Sequence, residues 1–172
     1  MIFPIYDALL LFFIYSFLGW CVEVAFVAIT SRRVENRGFL NGPLCPIYGF
    51  GMLGVLMALT PVSDNLLLLF FGGMLICSAV ECFGGWLLDK IFHMRWWDYS
   101  DFKFNFRGQI CLYISLAWGG LILLVFAVVQ PLVMMTIDRI PVRFGFPIIV
   151  VMIWLYFMDL AFSFASRSRF GL

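Results

Sequence analysis

From Gly108 to Met135 the chain runs without a single charged residue. At about 1.5 Å per helical residue, such a stretch outreaches the roughly 30 Å of hydrocarbon in a bilayer. Four more apolar segments accompany it, at about residues 3–30, 44–59, 65–88 and 147–165. One soluble core could not hide this much apolar surface, because folded surfaces stay partly polar. Composition agrees, with 64% of the 172 residues hydrophobic and 12% charged, where a soluble domain carries roughly 25% charge. The expectation is an all-α membrane protein, residues 1–172 forming a single transmembrane domain of about five helices.

The second segment is the unusual one. It opens with Gly42-Pro43-Leu44-Cys45-Pro46, carries Gly49, Gly51 and Gly54, and stops at Pro61. So short a run barely crosses a bilayer, and it is either a tilted, closely packed span or a broken, re-entrant one. The N-terminal segment has no Lys or Arg before Asp7. Its apolar run is also too long for a signal-peptide core, so it reads as a true first span.

Five spans place loops 31–42 and 89–107 on the same side as the C-terminus. That side holds Arg32, Arg33, Arg37, Lys90, Arg95, Lys103, Arg107, Arg167 and Arg169, while the other holds Arg139 and Arg143. The positive-inside rule then sets the N-terminus outside and the C-terminus in the cytoplasm.

Several function classes drop out. The net charge of +1 gives no case for a nucleic-acid partner. Cys21, Cys45, Cys77, Cys82 and Cys111 form no metal-ligand spacing, and His93 is the one histidine, so neither metal nor cofactor is expected. There is no P-loop pattern, so any nucleotide-driven step would sit on a partner protein.

Three features could carry chemistry. The first is acid inside the spans, where a charge costs several kcal/mol and needs a reason. Glu23 lies nine residues before Arg32, Glu81 nine before Lys90, and Asp159 eight before Arg167. All three fall at one depth, roughly 12–14 Å in by helical rise, and could line a shared polar cavity for a cation or proton. The bland reading is that each pairs with a loop arginine or sits protonated against a carbonyl.

The second feature is Arg37 to Gly49. Its glycines and prolines shape a lead-in whose free N–H groups attract an anion, an external one or the carboxylates of Glu23 or Glu81. It could equally be a turn that only packs. The third is the loop from His93 to Asp101. Trp96 and Trp97 there read as interfacial anchors, and Phe102, Phe104 and Phe106 alternate with Lys103, Asn105 and Arg107. A period of two suggests an extended strip lying along the membrane or acting as a lid. Gly72, Gly73, Gly84, Gly85, Gly119 and Gly120 read as close helix contacts.

With these residues in view, the chain resembles the bacterial membrane family labelled "putative ABC-transporter type IV", or ABC transporter permease. The resemblance rests on Gly38-Phe39-Leu40-Asn41-Gly42-Pro43-Leu44-Cys45-Pro46-Ile47-Tyr48-Gly49, on Glu81 with Gly85-Trp86-Leu87-Leu88, and on Arg95-Trp96-Trp97-Asp98-Tyr99-Ser100. It continues through Asn105, Gly108, Ile110-Cys111-Leu112, Ser115 and Trp118-Gly119. Departures are Lys103 for a usual proline, Gln109 for a common arginine, and Tyr113 for a more polar residue. The resemblance implies a multi-pass protein of the bacterial cytoplasmic membrane.

The leading expectation is transport or ligand handling through a cytoplasm-facing cavity. Its candidate ligand-binding set is Glu23, Arg37, Asn41, Cys45, Tyr48, Glu81, Trp97, Asp98, Tyr99, Asn105 and Arg107. Expected partners are membrane lipid, a small-molecule or ion ligand, and a second copy or partner subunit. The alternatives are an intramembrane enzyme acting on a lipid or isoprenoid, its carboxyls serving as acid and base, and a non-catalytic scaffold or sensor subunit.

Overall fold

Apolar runs of this length have one way to satisfy their backbone in lipid, which is to bond it along the segment as helix. The computed structural model describes residues 4–168 except Arg37 and Met94, and for residues 167 and 168 the backbone alone. Arg37, Arg169 and the side chain of Arg167 therefore lie outside the described residues. The helices are α1 (Ile5–Ser31), α2 (Pro46–Leu59), α3 (Leu66–Phe92), α4 (Leu112–Leu124), α5 (Gln130–Asp138) and α6 (Val142–Ser168). Between α3 and α4, strands β1 (Asn105–Phe106) and β2 (Ile110–Cys111) pair antiparallel.

Helices α4 and α5 are one continuous rod from Leu112 to Asp138, joined by a π turn over Val125–Val129. There the Gln130 N–H reaches Val125 O, five residues back. Pro131 follows and has no N–H, so the ladder loses a bond at this point and a shifted register is tolerated. Four helices are long and apolar enough to cross a membrane: Ile5–Ser31, Leu66–Phe92, Leu112–Asp138 and Val142–Ser166. The fifth apolar helix, Pro46–Val62 with its final 3-10 turn, is shorter. The chain is thus a multi-pass membrane protein.

Several boundaries differ from the sequence reading. Charged Asp89 and Lys90 do not end α3, which continues to Phe92, where His93 turns left-handed at φ 51° and donates its N–H to Asp89 O. Helix α4 starts at Leu112 and not Gly108, because Ile110 and Cys111 are taken by the hairpin. Helix α6 starts at Val142, with Pro147 inside it. At the start of α3, Asn65 caps the amides of Leu67 and Leu68.

The expected extended strip is not formed. Phe104 and Arg107 turn left-handed at φ 58° and 54°, followed by Gly108 at 71°, so the alternation is broken after two paired residues. A left-handed non-glycine residue costs about 1–2 kcal/mol, and the turn holds two.

The chain divides into two compact units. The central unit is Gly54–Met134, and the discontinuous unit joins Phe3–Leu53 to Met135–Phe170. In the central unit α3 and α4 pack antiparallel, with Phe70 against Gly119, Gly73 against Ile122 and Ser78 bonded to Ser115 at 2.7 Å. A methyl on Gly119 would stand 2.9 Å from the Phe70 carbonyl oxygen, so the glycine sets the helix separation. In the discontinuous unit α1 meets the first half of α2 through Gly19 and Gly49, which face Tyr48 and Ser16 respectively. Phe12 there packs edge-on against Tyr156 of α6, their ring centroids 5.8 Å apart.

Candidate functional site

A polar seam runs along the packed faces of α3 and α4. Ser78, Glu81, Cys82 and Gly85 are spaced so that one helix face carries them all. Opposite them stand Ser115, Trp118 and the segment at Gln109. Glu81 is 8% exposed. One of its oxygens accepts the Tyr99 hydroxyl at 2.8 Å and the other accepts the Trp118 indole N–H at 3.3 Å. Both of these donors are neutral groups. Below Glu81 lies the Ser78–Ser115 bond, and above it Cys82 Sγ reaches Gln109 Oε1 at 3.6 Å.

Tyr99 reaches Glu81 because the loop that carries it is locked. The Tyr99 N–H donates to Gly108 O at 2.8 Å, and the Trp97 indole donates to Gln109 O at 3.0 Å. Gly85 leaves room for the Trp97 ring, which a methyl there would meet at 3.2 Å. Asn105 donates to Ser100 O and Phe102 O and accepts the Gly108 N–H. Asp98 accepts the Ser100 hydroxyl and the Ser100 N–H and pairs with Arg95 at 3.1 Å. Hydrogen bonds from Ser100, hydroxyl first, hold the Asp98 carboxyl below the usual carboxylate range, with Arg95 adding to the effect.

In the discontinuous unit the segment from Asn36 to Tyr48 is bonded at almost every step. Asn36 Oδ1 accepts the Trp20 indole and the Gly38 N–H, while its amide donates to Leu40 O and Asn41 O. The N–H groups of Asn41 and Gly42 then donate to Asp159 at 3.2 and 2.8 Å. Asn41 Nδ2 adds bonds to Asp159 and Ser163, and Ser163 donates to Asp159 in turn. The Cys45 N–H donates to Ser16 O, and the Tyr48 hydroxyl donates to Glu23 at 2.6 Å.

Of the residues singled out in the sequence, Glu81 and Tyr99 come together, and Glu23 meets Tyr48. Trp97, Asp98 and Asn105 are the braces of the loop, each spent on holding its path. The Arg107 guanidinium lies over the Phe106 ring at 5.6 Å, with Arg107 exposed. Cys45 is buried at the head of α2. Asn41 does hold a carboxylate, as the lead-in's free N–H groups suggested, but the acid is Asp159 and not Glu23 or Glu81. Of the three acids, Glu81 lies in the central unit, and Glu23 and Asp159 in the discontinuous one. Trp118, Asn36, Gln109 and Ser163 were missed as participants. For Trp118 a signal existed: an indole in mid-membrane needs an acceptor.

A family model described as "Putative ABC-transporter type IV" matches residues 10–164. No curated protein and no solved structure matches the chain. The four apolar helices and the transporter description of the family fit a role in membrane transport. Matched over most of its length, the chain belongs to this family.

Proposed function

We propose that this chain is a transport or ligand-handling subunit of the bacterial cytoplasmic membrane in which Glu81 takes up a proton or cation. The observation that carries the reading is the setting of Glu81: a carboxylate 8% exposed, inside an apolar span, with an aromatic donor on each oxygen. A charge placed there is expensive, and ionisable groups within spans mark ion or proton paths by default. Tyr99 belongs to the braced loop 95–111, which in this reading covers the site from the cytoplasmic side. Glu23 with Tyr48 is a second, more exposed carboxylate of the same kind. Asn41 has a different part, since its donors serve Asp159 and hold the lead-in to α2 in place. In this reading a second copy or a partner subunit completes the translocation path.

The test is ion movement in proteoliposomes holding the purified protein or its native complex. A dye inside reports proton, sodium or potassium entry after an imposed gradient. Wild-type protein is expected to pass one of them, Glu81→Gln to abolish the signal, and Tyr99→Phe to weaken it several-fold. Flux of the same size in Glu81→Gln would remove Glu81 from the path.

A further inference from the structure

We propose that the turn Ser100–Arg107 is a membrane-surface anchor that seats its phenylalanines in the headgroup layer and binds anionic lipid phosphate through Lys103 and Arg107. The turn is rigid. Phe102 N–H donates to Tyr99 O, Leu112 N–H to Phe104 O, and Cys111 Sγ contacts Lys103 O, beside the three bonds of Asn105. Yet its large apolar side chains all face outward, with Phe102 47%, Phe104 72% and Phe106 56% exposed. A backbone braced this way cannot fold over to hide them. A cluster of exposed aromatics on an ordered element marks a surface that something covers.

The occupant follows from place and charge. Strand β2 passes directly into α4, and α3 ends at Phe92, so the turn stands at the membrane border between two spans. Lys103 sits between Phe102 and Phe104, and the Arg107 cation rests on the Phe106 ring. At the end of α3, Lys90 lies in the same way over Trp86, 5.0 Å from the ring centre, with Trp86 43% exposed. A cation riding on an aromatic ring suits the lipid boundary, with the ring against acyl chains and the charge at phosphate. Asp101 is the one acid in the turn, and the cations outnumber it. The side chains that would meet lipid are Phe102, Lys103, Phe104, Phe106 and Arg107, and the Glu81 donors Tyr99 and Trp118 are not among them, so the proposal stands whether or not the transport reading does.

The experiment uses the whole protein in nanodiscs of phosphatidylcholine, with and without about one-third phosphatidylglycerol. A fluorine-labelled phenylalanine replaces Phe104 and is read by ¹⁹F NMR against a lipid-borne nitroxide and a soluble gadolinium chelate. The expected result is stronger broadening by the nitroxide. Native mass spectrometry should also show retained phosphatidylglycerol falling roughly fivefold per cation removed in Lys103→Gln/Arg107→Gln. Stronger broadening by the chelate would place the turn in water and overturn the proposal. Protection from both agents would do so too, pointing to a second copy or another protein as the cover. Unchanged lipid retention in the double variant would overturn the phosphate contact. A label at Phe102 repeats the reading should one at Phe104 disturb the turn.

Discussion

Asp159 and Glu81 are both carboxylates inside apolar helices, yet different kinds of donor hold them. Asp159 accepts the backbone N–H groups of Asn41 and Gly42, with Asn41 Nδ2 and Ser163 alongside. Backbone donors are fixed to the path of the chain, so a carboxylate that binds them dictates where the loop lies. It does the work of an external anion at the lead-in to α2, but from within the protein. Glu81 instead takes a phenol and an indole, the ends of side chains that can rotate away. The first arrangement builds the fold, and the second is the one that the proposed function has exchanged for a ligand.

The largest expected effect lies on the architectural side. Asp159→Ala strands the donors of Asn41 and Gly42, which should cost about 2–3 kcal/mol. For a chain of this size, that lowers Tm by roughly 4–12 °C in detergent. An unchanged melting curve would mean that the loop holds its own shape, and the contrast with Glu81 would fail.

Next comes the seam that carries Glu81. Gly119→Ala puts a methyl against the Phe70 carbonyl and should destabilise by about 1–3 kcal/mol. Gly120→Ala, with nothing within 4 Å of the added carbon, should be neutral or stabilising by up to about 1 kcal/mol. Equal melting temperatures for the pair would contradict the packing of α3 on α4.

A third carboxylate, Asp98, gives the smallest effect because it is exposed to solvent. Its folded pKa lies below the usual 3.8. The stabilising bonds from Ser100 are therefore complete above pH 3.8 and disappear only as pH falls through the lower folded value. The protection of the Ser100 amide, its exchange measured against the intrinsic rate at each pH, should stay constant down to pH 3.8 and fall below it. A loss of protection that begins well above pH 3.8 would show that Asp98 is not held in this way.

Much of the fold was legible because hydrocarbon imposes a simple rule on length and charge. The four long spans and the shorter second helix follow from runs and breaks that a reader can see. Boundaries failed where a single residue was over-read. Asp89 and Lys90 looked like a helix end, but long charged side chains at a border can reach water from within a helix. Pro147 looked like a start, although α6 begins five residues earlier at Val142. The strip at Phe102–Arg107 failed for another reason, since periodicity says nothing of left-handed residues at Phe104 and Arg107.

At the candidate sites, the acids and the aromatic loop were visible as types of residue. Their partners were less so. Asn41 and Asp159 are 118 positions apart, and no local pattern joins them. Asn36 and Ser163 are common polar residues whose part appears only when the chain path is known. Trp118 stood in plain view as an indole in mid-span, with the Glu81 acceptor already named.

The most direct test of the central claim is native mass spectrometry of the protein extracted gently from its own membrane, as wild type and as Glu81→Gln. The substitution keeps the shape, and the amide can still accept the Trp118 indole N–H and donate to the Tyr99 oxygen, so stability should stay within about 1 kcal/mol of wild type. The account predicts a small molecule or cation that travels with the wild-type protein and is lost from the folded variant. The same adduct on both would show that Glu81 is not where the ligand sits, and would contradict the account.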